Sequence, residues 1–149
     1  FHTVEGAPEG MRQRILFDER YVLVGRAGHP GLKRRPTLAQ FCRLDQVIVS
    51  PDGGGFHGPT DAALAAQGLK RHVALSVPHF LFVLSALVRT DLVAMLPERL
   101  VRGHPALRVV PAPLAVPGYR MAMLWHERVH RDPAHQWLRA QVVAAVVKP

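Results

Sequence analysis

The chain has 149 residues, 48% of them hydrophobic, and carries 19 Lys and Arg against 11 Asp and Glu for a formal net charge of +8. That length and apolar share suffice for one domain or two small lobes with a buried core. No run approaches the ~18 apolar residues of a membrane span, and a single cysteine, Cys42, excludes an internal disulfide or a thiolate metal cluster.

The opening FHTVEGAPEG has neither the basic start nor the apolar core of a secretory leader, and no initiator Met begins it. A piece of a longer cytoplasmic protein is therefore expected. Only three of the nineteen basic residues are Lys, and all nineteen are scattered. The charge fits an anionic ligand or partner better than a dedicated nucleic-acid-binding segment.

In chain order, Arg14 to Phe17 and Tyr21 to Arg26 read as strands broken at Asp18-Glu19, the second running into the turn Gly28-His29-Pro30-Gly31. Thr37 fits an N-cap for a short helix through Arg43, because its hydroxyl can accept from a first-turn amide. Cys42 reads as a small apolar side chain on that helix. Val47 to Ser50 is the next strand, ending in Pro51-Asp52-Gly53-Gly54-Gly55. Gly58-Pro59-Thr60-Asp61 opens a helix through Gln67, with Gly68 as its stop.

From His72 to Leu100 an apolar strand, a helix and a second apolar strand follow with almost no spare loop, a βαβ pattern. Lys70 to Val77 is the first strand and Phe80 to Val88 the helix. Its apolar run places Leu81, Val83 and Leu84 in the interior. Leu92 to Leu96 is the second strand, closed by Pro97. A short helix from Glu98, a strand Leu107 to Val110, a proline-rich connection and a strand Tyr119 to Trp125 follow. Asp132-Pro133 then starts a last helix whose Trp137, Leu138, Val142, Val143 and Val146 predict a buried face. Strands alternating with helices at this spacing argue an α/β fold with a largely parallel sheet.

In such sheets ligands gather at the carboxyl ends of strands, which places the turn Val77-Pro78-His79-Phe80 at a crevice. The Gly53-Gly54-Gly55 loop has no Gly-Lys-Ser/Thr ending and matches no dinucleotide fingerprint. It leaves a neighbouring strand end and brings Ser50, Phe56 and His57 toward the same mouth. The predicted binding set is thus Ser50, Phe56, His57, Pro78, His79 and Phe80, with no catalytic residue, no metal and no cofactor.

His126-Glu127-Arg128-Val129-His130 matches the H-E-x-x-H pattern of zinc peptidases, whose histidines share one metal only when a helix stacks them. Here the motif follows an alternating strand and precedes the start of a new helix, so an extended or looped segment is expected, and no third ligand stands at a matching spacing. Ser76 and Ser85 lack the surroundings of an activated nucleophile. Asp61 and Asp91 read as residues of helix and turn ends.

The ordered series Tyr21-Val22-Leu23-Val24 with His29-Pro30, Thr37-Leu38 with Phe41-Cys42, Val49-Ser50, Gly58 with Asp61, Gly68-Leu69-Lys70-Arg71, Val77-Pro78-His79-Phe80, Arg89-Thr90-Asp91-Leu92-Val93-Ala94 with Leu96-Pro97, and Leu124-Trp125-His126 with Trp137-Leu138-Arg139 resembles the effector-binding region of LysR-type transcriptional regulators. Within that family it looks most like the activator of naphthalene and salicylate degradation and the nodulation regulators. The resemblance implies a periplasmic-binding-protein-like (type II) fold of two α/β lobes. Residues 1–22 and 121–149 would belong to a partial lobe I and residues 23–120 to a complete lobe II.

It further implies a small effector, an aromatic or other small carboxylate, in the interlobe cleft, and a homodimer or tetramer. DNA would be contacted only through an amino-terminal helix-turn-helix that lies outside this sequence. His57 and His79 align with cleft-facing positions of lobe II. A zinc-dependent hydrolase built on His126, Glu127 and His130, and a transport-type solute-binding protein, are the alternative readings.

Overall fold

In the computed structural model, which describes residues 1–4, 8–50 and 54–146, thirteen regular elements follow one another. They are β1 (His2–Thr3), β2 (Met11–Glu19), β3 (Tyr21–Arg26), α1 (Leu38–Arg43), β4 (Asp45–Val49), α2 (Pro59–Ala65), β5 (His72–Val77), α3 (Phe80–Arg89), β6 (Ala94–Pro97), α4 (Glu98–Val101), β7 (Leu107–Val110), β8 (Tyr119–His126) and α5 (Pro133–Val146). Two units are formed, Phe1–Glu19 with Gly118–Pro149, and Arg20–Pro117. Pro51, Asp52 and Gly53 of the predicted glycine-rich turn lie outside the described residues.

The first unit is an antiparallel sheet of order β1-β8-β2. Strand β2 runs on through Asp18-Glu19, where a break was expected, because β8 continues alongside and sets Arg120 opposite Asp18. Opposite charges facing across strands are favourable. Helix α5 packs against β2, but the expected buried face is not formed. Val142, Val143 and Val146 are half-buried, whereas Trp137 is 65% exposed and Leu138 is exposed too, since α5 has sheet on one narrow side only.

In the second unit β3 is flanked antiparallel by β6 and β7, and β4 pairs parallel with β5. A parallel bridge from Gln46 to Val93, just before β6, joins these two groups. Strands β5, β4, β6 and β7 therefore share one direction and β3 alone opposes them. The largely parallel sheet expected from the sequence holds for four strands of this unit and fails in the first unit, where every pairing is antiparallel.

Strand β3 explains where the core sits. Its alternate side chains enter two clusters: Val22 and Val24 join Val47, Val83, Leu87, Leu96 and Leu107, while Leu23 joins Leu32, Phe41, Leu64, Val93 and Val110. Both faces are thus covered, and the strand reads as a continuous apolar run rather than an alternating one. Each fully buried side chain of this kind contributes about 1.5–3 kcal/mol.

Helix α1 begins as expected. Thr37 Oγ1 accepts from the Gln40 amide at 3.2 Å and Gln40 Oε1 accepts from the Thr37 amide at 2.8 Å, a reciprocal cap. Cys42 is half-buried beside the Leu23 cluster, and burial pushes its thiol pKa up. Helix α2 stops before Gly68, whose φ of +68° suits a residue without a Cβ. In α3 the helical period buries Val83 and Leu87 and turns Leu81, 76% exposed, and Phe82 outward. The interior placement expected for Leu81 is therefore wrong, because an apolar run longer than the contact stripe leaves its far side uncovered.

Candidate ligand site

Parallel β4 and β5 end side by side, Val49 opposite Val77, and the chain leaves both ends toward the start of a helix. The backbone is tied at this edge by a short strap. Ser50 N–H donates to the Val77 carbonyl at 2.9 Å. The Gly55 amide donates to Ser50 Oγ at 3.0 Å, and Ser76 Oγ donates to the Gly55 carbonyl at 2.7 Å. A Cβ on Gly55 would stand 2.8 Å from Ser50 Oγ, so the loop folds back this closely only because position 55 is glycine.

Beside the strap lies a cavity of about 200 Å³ lined by Tyr21, Val47, Ile48, Val49, Gly58, Pro59, Thr60, Arg71, Phe80 and Met95. Its walls are largely apolar, with Phe80 entering from the first turn of α3 and Thr60 buried at the start of α2. A second cavity, of about 290 Å³, is lined by Phe56, His57, Asp61, Ala65, Leu69, Lys70, Arg71 and Val73. Arg71 is common to both.

The Arg71 side chain is only 2% exposed. Its Nε donates to Asp61 Oδ1 at 2.8 Å, its Nη2 to Asp61 Oδ2 at 2.7 Å and its Nη1 to Gln46 Oε1 at 2.9 Å. Gln46, fully buried, donates in turn to the Phe41 carbonyl at 2.9 Å, and the Gly58 amide donates to Asp61 Oδ2 at 2.8 Å. The fork joins α2 to the entry of β5 with every carboxylate oxygen engaged. Burial works to raise the Asp61 pKa, but the Arg71 guanidinium, the Gly58 amide and nearby His57 outweigh it and hold the carboxyl below its ordinary range.

The six residues expected at the crevice thus divide. Phe80 lines the first cavity and Phe56 and His57 the second. Ser50 serves the strap. Pro78 and His79 are exposed and line neither cavity; the His79 ring stacks on Phe82 with centroids 6.1 Å apart. Sequence reasoning missed Tyr21, Thr60, Arg71 and Met95. The signal available for Arg71 was an acidic residue in the first turn of a helix followed, one corner later, by an arginine entering a strand.

The H-E-x-x-H segment is not helical. His126 ends β8, and Glu127–Val129 makes one 3-10 turn in which the Arg128 amide donates to His126 Nδ1 at 3.1 Å. Glu127 pairs with Arg12 of the neighbouring β2, which lowers its pKa. Trp125 Nε1 donates to His130 Nδ1 at 3.2 Å, with the Arg139 guanidinium 4.8 Å from the indole centroid. Among the described residues no cluster of three His, Cys, Asp or Glu side chains is placed to hold a metal ion.

Comparison with known proteins gives one consistent result. The family model of the LysR substrate binding domain matches residues 2–146. The chain is 34% identical over 142 residues to the HTH-type transcriptional regulator SyrM 1 of Sinorhizobium fredii, covering 93% of this chain and 42% of that protein. It is 39% identical over 133 residues to the HTH-type transcriptional activator NagR of a Ralstonia species, covering 87% of this chain and 44% of that protein. It therefore spans less than half the length of these relatives.

Among solved structures, the probable transcriptional regulator PA0477 of Pseudomonas aeruginosa superposes with a TM-score of 0.73 at 33% identity, over 93% of this chain and 46% of that one. The regulatory domain of MexT from the same organism superposes with a TM-score of 0.75 at 24% identity, over 95% of this chain and 69% of that one, a likeness of fold. The periplasmic-binding-protein-like type II architecture expected from the sequence is thus the one found. By family match, by identity to curated relatives and by fold, this chain belongs to the LysR substrate-binding domain family.

Proposed function

We propose that this chain is the ligand-sensing module of a LysR-type transcriptional regulator, and that it binds a small aromatic carboxylate without transforming it. The observation that carries the reading is the apolar cavity of about 200 Å³ at the carboxyl end of β4, with Phe80 and the buried Arg71 among its lining residues. A dry cavity of ~150 Å³ accepts a benzene ring, so this one has room for one ring and a carboxyl group. Phe80 covers the ring, and His57 and His79 lie on the loops that leave β4 and β5. Ser50, Phe56 and Pro78 shape the loops around them.

In the same reading, the unit Arg20–Pro117 is lobe II and the other unit the described part of lobe I. The whole regulator is a cytoplasmic homodimer or tetramer that meets DNA through a helix-turn-helix on another part of the protein. Ligand binding favours one conformation of the sensing module and so biases that assembly. The zinc hydrolase reading is disfavoured by the 3-10 turn and by the engagement of Glu127 with Arg12, and the solute-binding reading by the family match.

A thermal-shift titration of this chain against aromatic and aliphatic carboxylates tests the proposal. A ligand at ~100 times its Kd adds ~2.7 kcal/mol and raises Tm measurably. A dose-dependent rise confined to aromatic carboxylates is expected, and a flat response to all of them refutes the reading.

A further inference from the structure

We infer that Arg71 is the residue that selects an anionic ligand in the cavity bounded by Phe80, and that Asp61 sets how strongly it does so. The inference rests on the proposed ligand-sensing role and assigns the charge recognition within that site.

A guanidinium carries five N–H donors. Arg71 spends one on Asp61 Oδ1, one on Asp61 Oδ2 and one on Gln46 Oε1. Nη1 and Nη2 therefore each keep one N–H with no acceptor among the described residues. The side chain is only 2% exposed, so bulk water does not readily take up these donors. Arg71 is nevertheless one of the residues that line the cavity of about 200 Å³. The remaining lining is Tyr21, Thr60 and apolar groups, with no carboxylate among them. A ligand oxygen that reaches Nη1 or Nη2 from that cavity would meet a cation held in a fixed plane by Asp61 and Gln46.

Asp61 makes the recognition conditional. Its carboxylate already neutralises Arg71, so the empty cavity does not hold an uncompensated buried charge. A ligand carboxylate shares the guanidinium with Asp61 and competes with it. Selectivity for an anion is consequently moderate in the parent protein and rises when the Asp61 charge is removed. A purely structural ion pair has the opposite signature: weakening it loosens the fold and impairs every ligand alike.

Benzoate and its uncharged near-isostere benzamide are the probes, titrated calorimetrically into the full chain and three variants. The parent is expected to prefer benzoate. Asp61→Asn keeps the oxygen that accepts from Arg71 and is expected to bind benzoate severalfold tighter with benzamide unchanged. Arg71→Met with Asp61→Leu removes both charges while filling the space, which preserves folding; it is expected to keep benzamide and lose the benzoate preference, a change of about tenfold or more. Arg71→Lys keeps a charge without the fork and falls between. The assignment is overturned if the double variant discriminates as the parent does, or if Asp61→Asn weakens both probes equally. A parent that binds benzamide and benzoate equally overturns the role of Arg71 alone, and one that binds neither overturns the aromatic-carboxylate reading with it.

Discussion

Asp61 accepts two hydrogen bonds from Arg71, at 2.8 and 2.7 Å, across the corner between α2 and β5, from ten positions further along the chain. Truncating one member strands the other in a buried setting. Arg71→Ala is expected to cost about 3–5 kcal/mol in chemical denaturation, while the paired replacement Arg71→Met with Asp61→Leu recovers most of that loss. Equal destabilisation by the single and double replacements would show that the fork contributes through packing and not through charge.

The same carboxylate makes stability depend on pH. The folded-state pKa of Asp61 is depressed, so its contribution is fully present above the unfolded value of about 3.9 and is lost as pH falls through the folded value. Glu98, beside Arg20, and Glu127, beside Arg12, shift in the same direction, but as surface pairs they weigh less. Denaturation midpoints measured from pH 7 down to pH 2 should fall on the acid side for the parent and fall less for Asp61→Asn. Parallel curves would remove Asp61 from the account.

The strap at the ends of β4 and β5 is open to a direct test. Ser76→Ala deletes the donor to the Gly55 carbonyl, and Gly55→Ala drives a methyl onto Ser50 Oγ. Each is expected to cost about 1 kcal/mol and to speed amide exchange at Gly55 and its neighbours while β3 and β6 stay protected. Unchanged exchange at Gly55 would mean that the loop is held by other contacts.

Zinc offers a fourth test. With His126 and His130 carried on a strand end and a 3-10 turn rather than stacked on a helix, added zinc is expected to leave Tm unchanged. The protein purified without chelator should then contain far less than one zinc per chain. Stoichiometric metal that a chelator removes with a fall in Tm would reopen the hydrolase reading.

Most elements were legible because their signals are local. The Thr37 cap, the Gly68 stop and the apolar run of β3 each rest on a few adjacent residues. What stayed hidden depends on partners distant in sequence. Apolar composition could not say that Leu81 faces outward, since that follows from which side of α3 meets the sheet. Nor could it say that β3 opposes its neighbours, or that Asp18 continues a strand because Arg120 stands across from it. In the candidate site, Phe80 was found from a strand-end rule, whereas Arg71 stands just before the opposite end of β5, where that rule does not look.

The division of the chain has a consequence for the order of assembly. Residues 20–117 are one uninterrupted stretch, whereas the other unit needs β2 and β8, and Arg12 of β2 pairs with Glu127, just past the end of β8, across 115 residues of sequence. Closing so long a loop is entropically slow unless the intervening chain is already compact. On a ribosome the inserted stretch is complete before β8 emerges, so its collapse shortens the span that β2 must bridge. A nascent chain halted after Pro117 should accordingly show protease resistance in its inserted portion, with β2 still unpaired and open to cleavage.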